Sequence, residues 1–170
     1  MNIESRMPSL LIKIAVLSAA ASAIQILESP LPRFLPWMKP GLSNSLLLFS
    51  LIEFSSGFAF SLVILRTVLT AFFLGMIFSP TFFLSLAGGV SSWLLMSLML
   101  KYKKANFGII GISIAGAIAN NLAQFAVLHL ILPGKIQNFI HICLGIWVGI
   151  PAGIAVAFIT YELLRRNTNG

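Results

Sequence analysis

The sequence predicts an all-α integral membrane protein, in which six transmembrane helices form one bundle and a single domain over residues 1–170. Apolar residues make up 58% of the 170 residues and charged residues only 9%, whereas about 25% of the residues of a soluble domain are charged. The mean hydropathy is +0.99. So few charges cannot cover a water-exposed surface, which excludes a soluble enzyme, a disordered chain and a secreted disulfide scaffold.

Apolar runs separated by proline, glycine and charged residues mark the six predicted spans. A helix needs about 20 mostly apolar residues to cross the roughly 30 Å of hydrocarbon in a bilayer. The first run ends at a Pro-rich segment, 28–41, the third ends before Pro80, and the fifth ends at Pro133-Gly134. Charged residues end the other three. The predicted spans are about 9–27, 42–54, 57–78, 80–100, 107–132 and 138–164, of which the second is the shortest.

The distribution of positive charge predicts the orientation of these spans. Cytoplasmic loops of membrane proteins carry an excess of Lys and Arg. With the N-terminus in the cytoplasm, the cytoplasmic ends hold Arg6, Lys13, Lys101, Lys103, Lys104, Arg165 and Arg166, and the outside loops hold Arg33, Lys39 and Lys135. We therefore expect a multi-pass protein of the cytoplasmic (inner) membrane with both termini in the cytoplasm. Contact with membrane lipid explains the net charge of +7 better than nucleic-acid binding does.

The first run also resembles a secretory signal peptide. Lys13, a short apolar stretch and Ala21-Ser22-Ala23 imitate such a peptide with its cleavage site, and cleavage would leave five spans. We favour an uncleaved helix because no exported soluble domain follows.

Arg66 lies about ten residues into the third span, near the middle of the membrane. An arginine at that depth costs at least about 2.5–3.5 kcal/mol on insertion scales, so it normally faces a polar cavity or a partner. One interpretation is an ion pair with Glu28 or Glu53, or extension of the side chain to an interface. The other is an anion-binding site inside the bundle.

The fifth span carries a polar strip on an otherwise apolar helix. Asn120 and Gln124 are separated by one helical turn, with Gly116 one turn earlier and Asn121 alongside. Unpartnered amides in hydrocarbon are costly. The strip therefore either joins helices by hydrogen bonds or, together with Arg66, lines a ligand pocket in which Asn44 also helps to orient the ligand.

The segment 28–41 is too apolar for an ordinary solvated loop, yet its four prolines prevent a regular helix. These features predict a cap that folds over the outer mouth of the bundle, where Trp37 would contact the ligand. Arg33 and Lys39 would add positive charge at the entrance. The alternative is a loop on the membrane surface with Trp37 as its interfacial anchor.

Two stripes of small residues predict close helix packing. Ala15, Ala19 and Ala23 repeat every four residues in the first span, where they could dock a partner helix. The second stripe lies in the sixth span, and we expect it to pack inside the bundle; it consists of Gly145, Gly149 and Gly153.

Catalytic motifs are missing from the sequence. The chain contains no Asp, so the Asp-rich clusters that bind diphosphate through magnesium cannot form, and Cys143 is its single cysteine. Zinc-ligand spacing, a nucleotide-binding loop and a nucleophile elbow are also absent. We therefore expect no catalytic residues, no metal site and no cofactor in this chain, which would not be an enzyme.

Several segments along the chain form a recognisable series. In order, they are 28–32, 39–44, 66–69 with Gly75, 84–89 with Ser92 and Met96, and 111–117 running on to Asn121 and Gln124. Together they resemble the Gx transporter family, also called heptaprenyl diphosphate synthase component I, whose members are similar to the substrate-binding S components of energy-coupling-factor (ECF) transporters. One position departs from the family, which is expected to have His where this chain has Asn120.

The resemblance implies a six-helix, S-component-like bundle that binds a small molecule without catalysing a reaction. The positive charges of Arg66, Lys39 and Arg33 favour an anionic molecule, whereas the family's alternative name suggests one related to isoprenoids and quinones. The stripe of Ala15, Ala19 and Ala23 would dock the membrane-embedded T component, and separate ATPase subunits would hydrolyse ATP. The alternative function is a non-catalytic membrane subunit of heptaprenyl diphosphate synthesis, whose partner performs the chemistry.

Overall fold

Six α-helices run through the residues that the computed structural model describes, which are 3–29, 41–102, 107–131 and 138–169, with side chains omitted for 3–7 and 138–141. No strand occurs within these ranges. The helices are α1 (Ile3–Glu28), α2 (Asn44–Glu53), α3 (Ser56–Phe73), α4 (Pro80–Lys101), α5 (Ile109–Ile131) and α6 (Asn138–Asn169).

Five of these helices are long and apolar enough to cross a membrane, which confirms a multi-pass helical membrane protein. The qualifying segments are Pro8–Glu28, Ser56–Phe73, Pro80–Lys101, Ile109–Ile131 and Ile142–Asn169. The second predicted span differs, because α2 has only 10 residues and is about 15 Å long, half the hydrocarbon thickness. The six-span topology with cytoplasmic termini therefore stays a prediction.

The third helix ends five residues earlier than the sequence pattern predicts, at Phe73 rather than residue 78. Gly75 takes a φ of 63°, a left-handed conformation in which glycine commonly ends helices. The amides of Gly75 and Met76 then bond back to Phe72 O at 3.1 Å and Ala71 O at 2.8 Å. The apolar residues that follow belong to the turn into α4, where the Ser79 side chain accepts from the amide of Phe82.

The short helix α2 occupies the centre of the bundle. Every residue from Asn44 to Ser50 is buried, because α2 packs against α3, α4 and α6. Its first turn is tied to α6 by Thr160, whose hydroxyl donates to Ser45 O at 3.2 Å. Near its end, Glu53 accepts from Asn167 Nδ2 at 2.8 Å. Because α2 is so short, it begins beside the middle of α3 and lines only part of the length of the bundle.

Glycines allow α5 to pack closely on both neighbours. On the α4 side, the Ser92 hydroxyl donates to Gly116 O at 2.7 Å. On the α6 side, the Ser113 hydroxyl donates to Gly153 O at 2.7 Å, and a Cβ at Gly153 would lie 2.5 Å from the Cα of Ile114. The glycine stripe of α6 therefore packs inside the bundle, as the sequence predicts.

The first helix has a buried polar face and an exposed apolar face. Ser18, Ser22, Gln25 and Glu28 are all buried on a helix that packs mainly against α3. The Ser22 hydroxyl bonds to Arg66 O at 3.1 Å. The alanines of the predicted docking stripe are exposed on this helix: Ala15, Ala19 and Ala23.

Candidate functional site

A small polar cavity lies where α2 begins, among α1, α3, α4 and α5. Its volume is about 20 Å³, which is room for about one water molecule. We call it the charged cavity, because an arginine and a glutamate line it together with amides and hydroxyls. The side chains that matter for its chemistry are those of Glu28, Ser43, Asn44, Arg66, Asn120 and Gln124.

Arg66 is held in this cavity by the first turn of α2. The side chain is only 3% exposed. Its Nη1 donates to Ser43 Oγ at 3.1 Å and its Nη2 donates to Asn44 Oδ1 at 2.7 Å. The antiparallel pairing of α2 and α3 brings Asn44 and Arg66 together, although they are far apart in sequence. The Nε atom is buried and has no hydrogen-bond partner in the part of the chain that the structure describes.

The structure separates the two glutamates that the sequence offers as partners of Arg66. Glu28 is 3% exposed and lines the charged cavity with Arg66, so the two opposite charges attract across a small volume. Its carboxylate also accepts from the amide of Leu42, just before α2. Glu53 is exposed and contacts Asn167 instead. Glu53 is therefore not an ion-pair partner of Arg66, whereas Glu28 lines the same cavity as Arg66.

The amides of α5 divide between the cavity and the helix interface. Asn120 and Gln124 line the charged cavity, in space left by Gly88, where a Cβ would lie 2.3 Å from Asn120 Oδ1. Gln124 is 2% exposed, and within the described ranges its Oε1 has no hydrogen-bond partner. Asn121 does not reach the cavity, because its Nδ2 donates to Gly145 O of α6 at 3.0 Å. The hydrogen bond places Asn121 at the interface of α5 and α6, and it is not among the residues that line the charged cavity.

A larger cavity adjoins the charged cavity, and the sequence reasoning missed it. Its volume is about 210 Å³, and the two cavities share Gln25 and Ser85. We call it the threonine cavity after Thr67, Thr70 and Thr81. Its wall is completed by Gln25, Ser29, Ala71, Leu74, Met76, Phe82 and Ser85.

A signal for the threonine cavity was present in the sequence. Thr67 and Thr70 follow Arg66 on one face of α3, and Gln25 lies one turn after Ser22 on α1. The Thr67 hydroxyl donates to Val63 O within its own helix, whereas Thr70 Oγ1 is buried and has no hydrogen-bond partner among the described residues. Polar residues at helical spacing on two neighbouring helices therefore marked a shared polar wall.

Three predicted ligand contacts and part of the predicted cap lie outside the described residues. These contacts are Arg33, Trp37 and Lys39. Within the described ranges, no group of three or more His, Cys, Asp or Glu residues could hold a metal ion.

One comparison with known proteins identifies relatives of this chain. The model of the family described as heptaprenyl diphosphate synthase component I matches residues 17–163. That range contains both cavities and every helix except the beginning of α1 and the end of α6. Among curated proteins and solved structures, the chain has no match.

Proposed function

The chain belongs to the heptaprenyl diphosphate synthase component I family, and from its charged cavity we propose that it is the substrate-binding membrane component of an ECF-type transporter. It would take up a small polar molecule across the cytoplasmic (inner) membrane. The observation that carries the proposal is the set of buried polar groups around Arg66. A membrane bundle normally satisfies such groups, because each unpaired one is costly in hydrocarbon.

The half-length helix α2 supports a binding role. In transporters, unusually short hydrophobic segments point to the substrate site, because a helix end inside the membrane presents backbone groups to a ligand. Here α2 begins beside Arg66, and Ser43 and Asn44 of its first turn orient the guanidinium. A structural protein without a ligand gains nothing from this arrangement, since a continuous apolar helix would be less costly.

The exposed alanine stripe supports a complex with partner subunits. Ala15, Ala19 and Ala23 form an exposed small-residue face, and such faces allow another helix to approach closely in lipid. In our proposal this face docks the T component, whose ATPase partners hydrolyse ATP. The chain itself binds substrate and catalyses no reaction, and it needs no cofactor of its own.

The family description favours a second candidate function, a non-catalytic membrane subunit of heptaprenyl diphosphate synthesis. In that case a separate synthase would carry the Asp-rich magnesium sites that this chain lacks, since its sequence contains no Asp. The two candidates predict different partners. A transporter component associates with a multi-spanning membrane protein and ATPases, whereas a synthase subunit associates with a prenyl diphosphate synthase.

Co-purification from the native membrane tests the proposal. The tagged chain is extracted in mild detergent, and its partners are identified by mass spectrometry. We expect a T component and ATPase subunits with the wild-type chain, and we expect Ala19→Trp to lose them, because the large ring blocks the helix contact. The matched control is Ala126→Trp, which enlarges an exposed alanine of α5 and should retain the partners.

Each result separates the candidates. Recovery of a prenyl diphosphate synthase in place of ATPases would reject the transporter assignment in favour of the second function. Retention of the ATPases by Ala19→Trp would show that the alanine stripe is not the docking surface. Loss of folded Ala19→Trp protein would instead show that the stripe packs within the chain.

A further inference from the structure

The two cavities meet along a shared wall. Gln25 of α1 and Ser85 of α4 line both of them. The charged cavity has room for about one water molecule, whereas the threonine cavity measures about 210 Å³. A cavity of about 150 Å³ accommodates benzene, so the threonine cavity accommodates one ring with small substituents. A polyprenyl chain is several times larger than this space.

Among the described residues, three buried atoms on side chains that line these cavities lack hydrogen-bond partners. They are Arg66 Nε, Gln124 Oε1 and Thr70 Oγ1. The Arg66 Nε–H is a donor and needs an acceptor, whereas Gln124 Oε1 is an acceptor and needs a donor. Buried groups of this kind are normally satisfied by protein, water or ligand. A ligand group that fills the charged cavity and satisfies both atoms must therefore offer an acceptor and a donor together.

The charges in the cavity favour a neutral ligand group over an anion. Arg66 carries a positive charge, and Glu28 lines the same cavity with a negative one. Among the described lining residues these formal charges cancel, since the other polar groups are amides and hydroxyls. A carboxylate or phosphate that enters the cavity would be attracted by Arg66 and repelled by Glu28, so the two interactions would largely offset each other. A neutral amide avoids that repulsion and still satisfies both unpartnered atoms.

We propose that the two cavities form one binding site for a small neutral molecule with an amide-type edge, in which a carbonyl acceptor lies beside an N–H donor. The edge enters the charged cavity, where its carbonyl accepts from Arg66 and its N–H donates to Gln124. The ring or short body occupies the threonine cavity. This assignment rests on the proposed binding function and narrows its substrate class to single-ring carboxamides and heterocycles with a lactam edge.

Four probes of nearly equal size test the assignment. Benzamide offers both a donor and an acceptor, acetophenone only an acceptor, benzoate a negative charge, and benzamidine a positive charge. Each is titrated by ligand-observed NMR against the purified full chain in nanodiscs, with empty nanodiscs as the blank for partition into lipid. We expect millimolar affinity for benzamide, about tenfold tighter than for the other three, which is the usual effect of losing one buried hydrogen bond.

Two variants on α5 test whether the preference for benzamide depends on Gln124 Oε1. Gln124→Leu removes the buried acceptor, so benzamide affinity should fall about tenfold while acetophenone affinity stays within about twofold. The matched control is Asn121→Leu, which removes an amide of the same helix that faces α6. It should leave the preference for benzamide unchanged.

The outcomes separate the substrate class from the function. Tighter binding of benzoate than of benzamide would overturn the neutral-edge assignment and leave the binding function standing. Equal effects of Gln124→Leu on benzamide and acetophenone would also overturn it. If a folded chain binds none of the probes, the single binding site is overturned. If the co-purification also recovers no ATPase subunits, the proposed function is overturned as well.

Discussion

The two faces of α5 use the same side-chain chemistry in opposite ways. Towards α6, Asn121 donates to a backbone carbonyl at 3.0 Å and is satisfied. Towards the charged cavity, Gln124 is buried even more deeply than Asn121, yet among the described residues its Oε1 has no hydrogen-bond partner. We call these the packing face and the site face of α5.

Glycines explain the difference between the faces. On the packing face, Gly149 and Gly153 allow the backbone of α6 to lie against Ile118 and Ile114 of α5. The backbone carbonyls of α6 are therefore within reach of α5 side chains. On the site face, Gly88 of α4 leaves room for the Asn120 and Gln124 side chains instead. The same residue type therefore closes one interface and opens a cavity at the other. Burial of an amide does not by itself distinguish packing from binding, whereas its hydrogen bonds do.

The largest expected effect follows from filling the packing face. Gly153→Ala places a methyl group 2.5 Å from the Cα of Ile114, and backbone cannot move aside as a side chain can. We expect the free energy of unfolding to fall by about 2–3 kcal/mol, measured by reversible unfolding in mixed micelles. Gly57→Ala is the control, because nothing lies within 4 Å of its new Cβ and alanine favours the helix. Equal stability of the two variants would contradict this account of the interface.

The next largest effect is loss of ligand binding through the site face. Arg66→Leu removes the guanidinium that faces the charged cavity, and benzamide affinity should fall at least about 30-fold, because a charge-assisted hydrogen bond is lost. The same NMR titration measures this change. The variant should still purify as a monodisperse, helical protein, and Arg66→Lys should restore part of the affinity. Unchanged binding by Arg66→Leu would make Arg66 a structural residue.

The smallest expected effect is a difference in stability between two variants, one on each face of α5. It distinguishes the two faces most directly. Asn121→Leu breaks an interhelical hydrogen bond, which in membrane proteins is worth about 0.6 kcal/mol on average and at most about 1.7. Gln124→Leu removes an unpartnered acceptor, so stability should stay the same or rise. Unfolding temperatures in one detergent compare the two variants directly. A larger loss for Gln124→Leu would show that Gln124 is part of the packing.

Much of the fold could be predicted from the sequence. Five spans correspond to helices of sufficient length, since each depends only on a local apolar run. The exceptions are local as well: α3 ends at Phe73, just before Gly75 takes its left-handed conformation, and α2 is shorter than an apolar run alone suggests. The orientation in the membrane rests on charge distribution and stays a prediction.

The candidate site was only partly predictable. Arg66, Asn44, Asn120 and Gln124 were all expected to bind, and they do line one cavity. Helical spacing alone could not separate Asn121 from Gln124, because residues three apart lie near each other on a helix and only the neighbours decide which face is open. The choice between Glu28 and Glu53 likewise depends on how α1 and α2 pack.

The sequence by itself determined that this chain is a helical membrane protein, because composition and apolar run length act through burial in lipid and need no knowledge of contacts. It also placed an arginine where a partner or cavity was required, since hydrocarbon does not solvate charge. Only the tertiary structure decided which polar groups are satisfied. Hydrogen bonds depend on distance and direction between residues far apart in sequence, and these are set by helix packing alone.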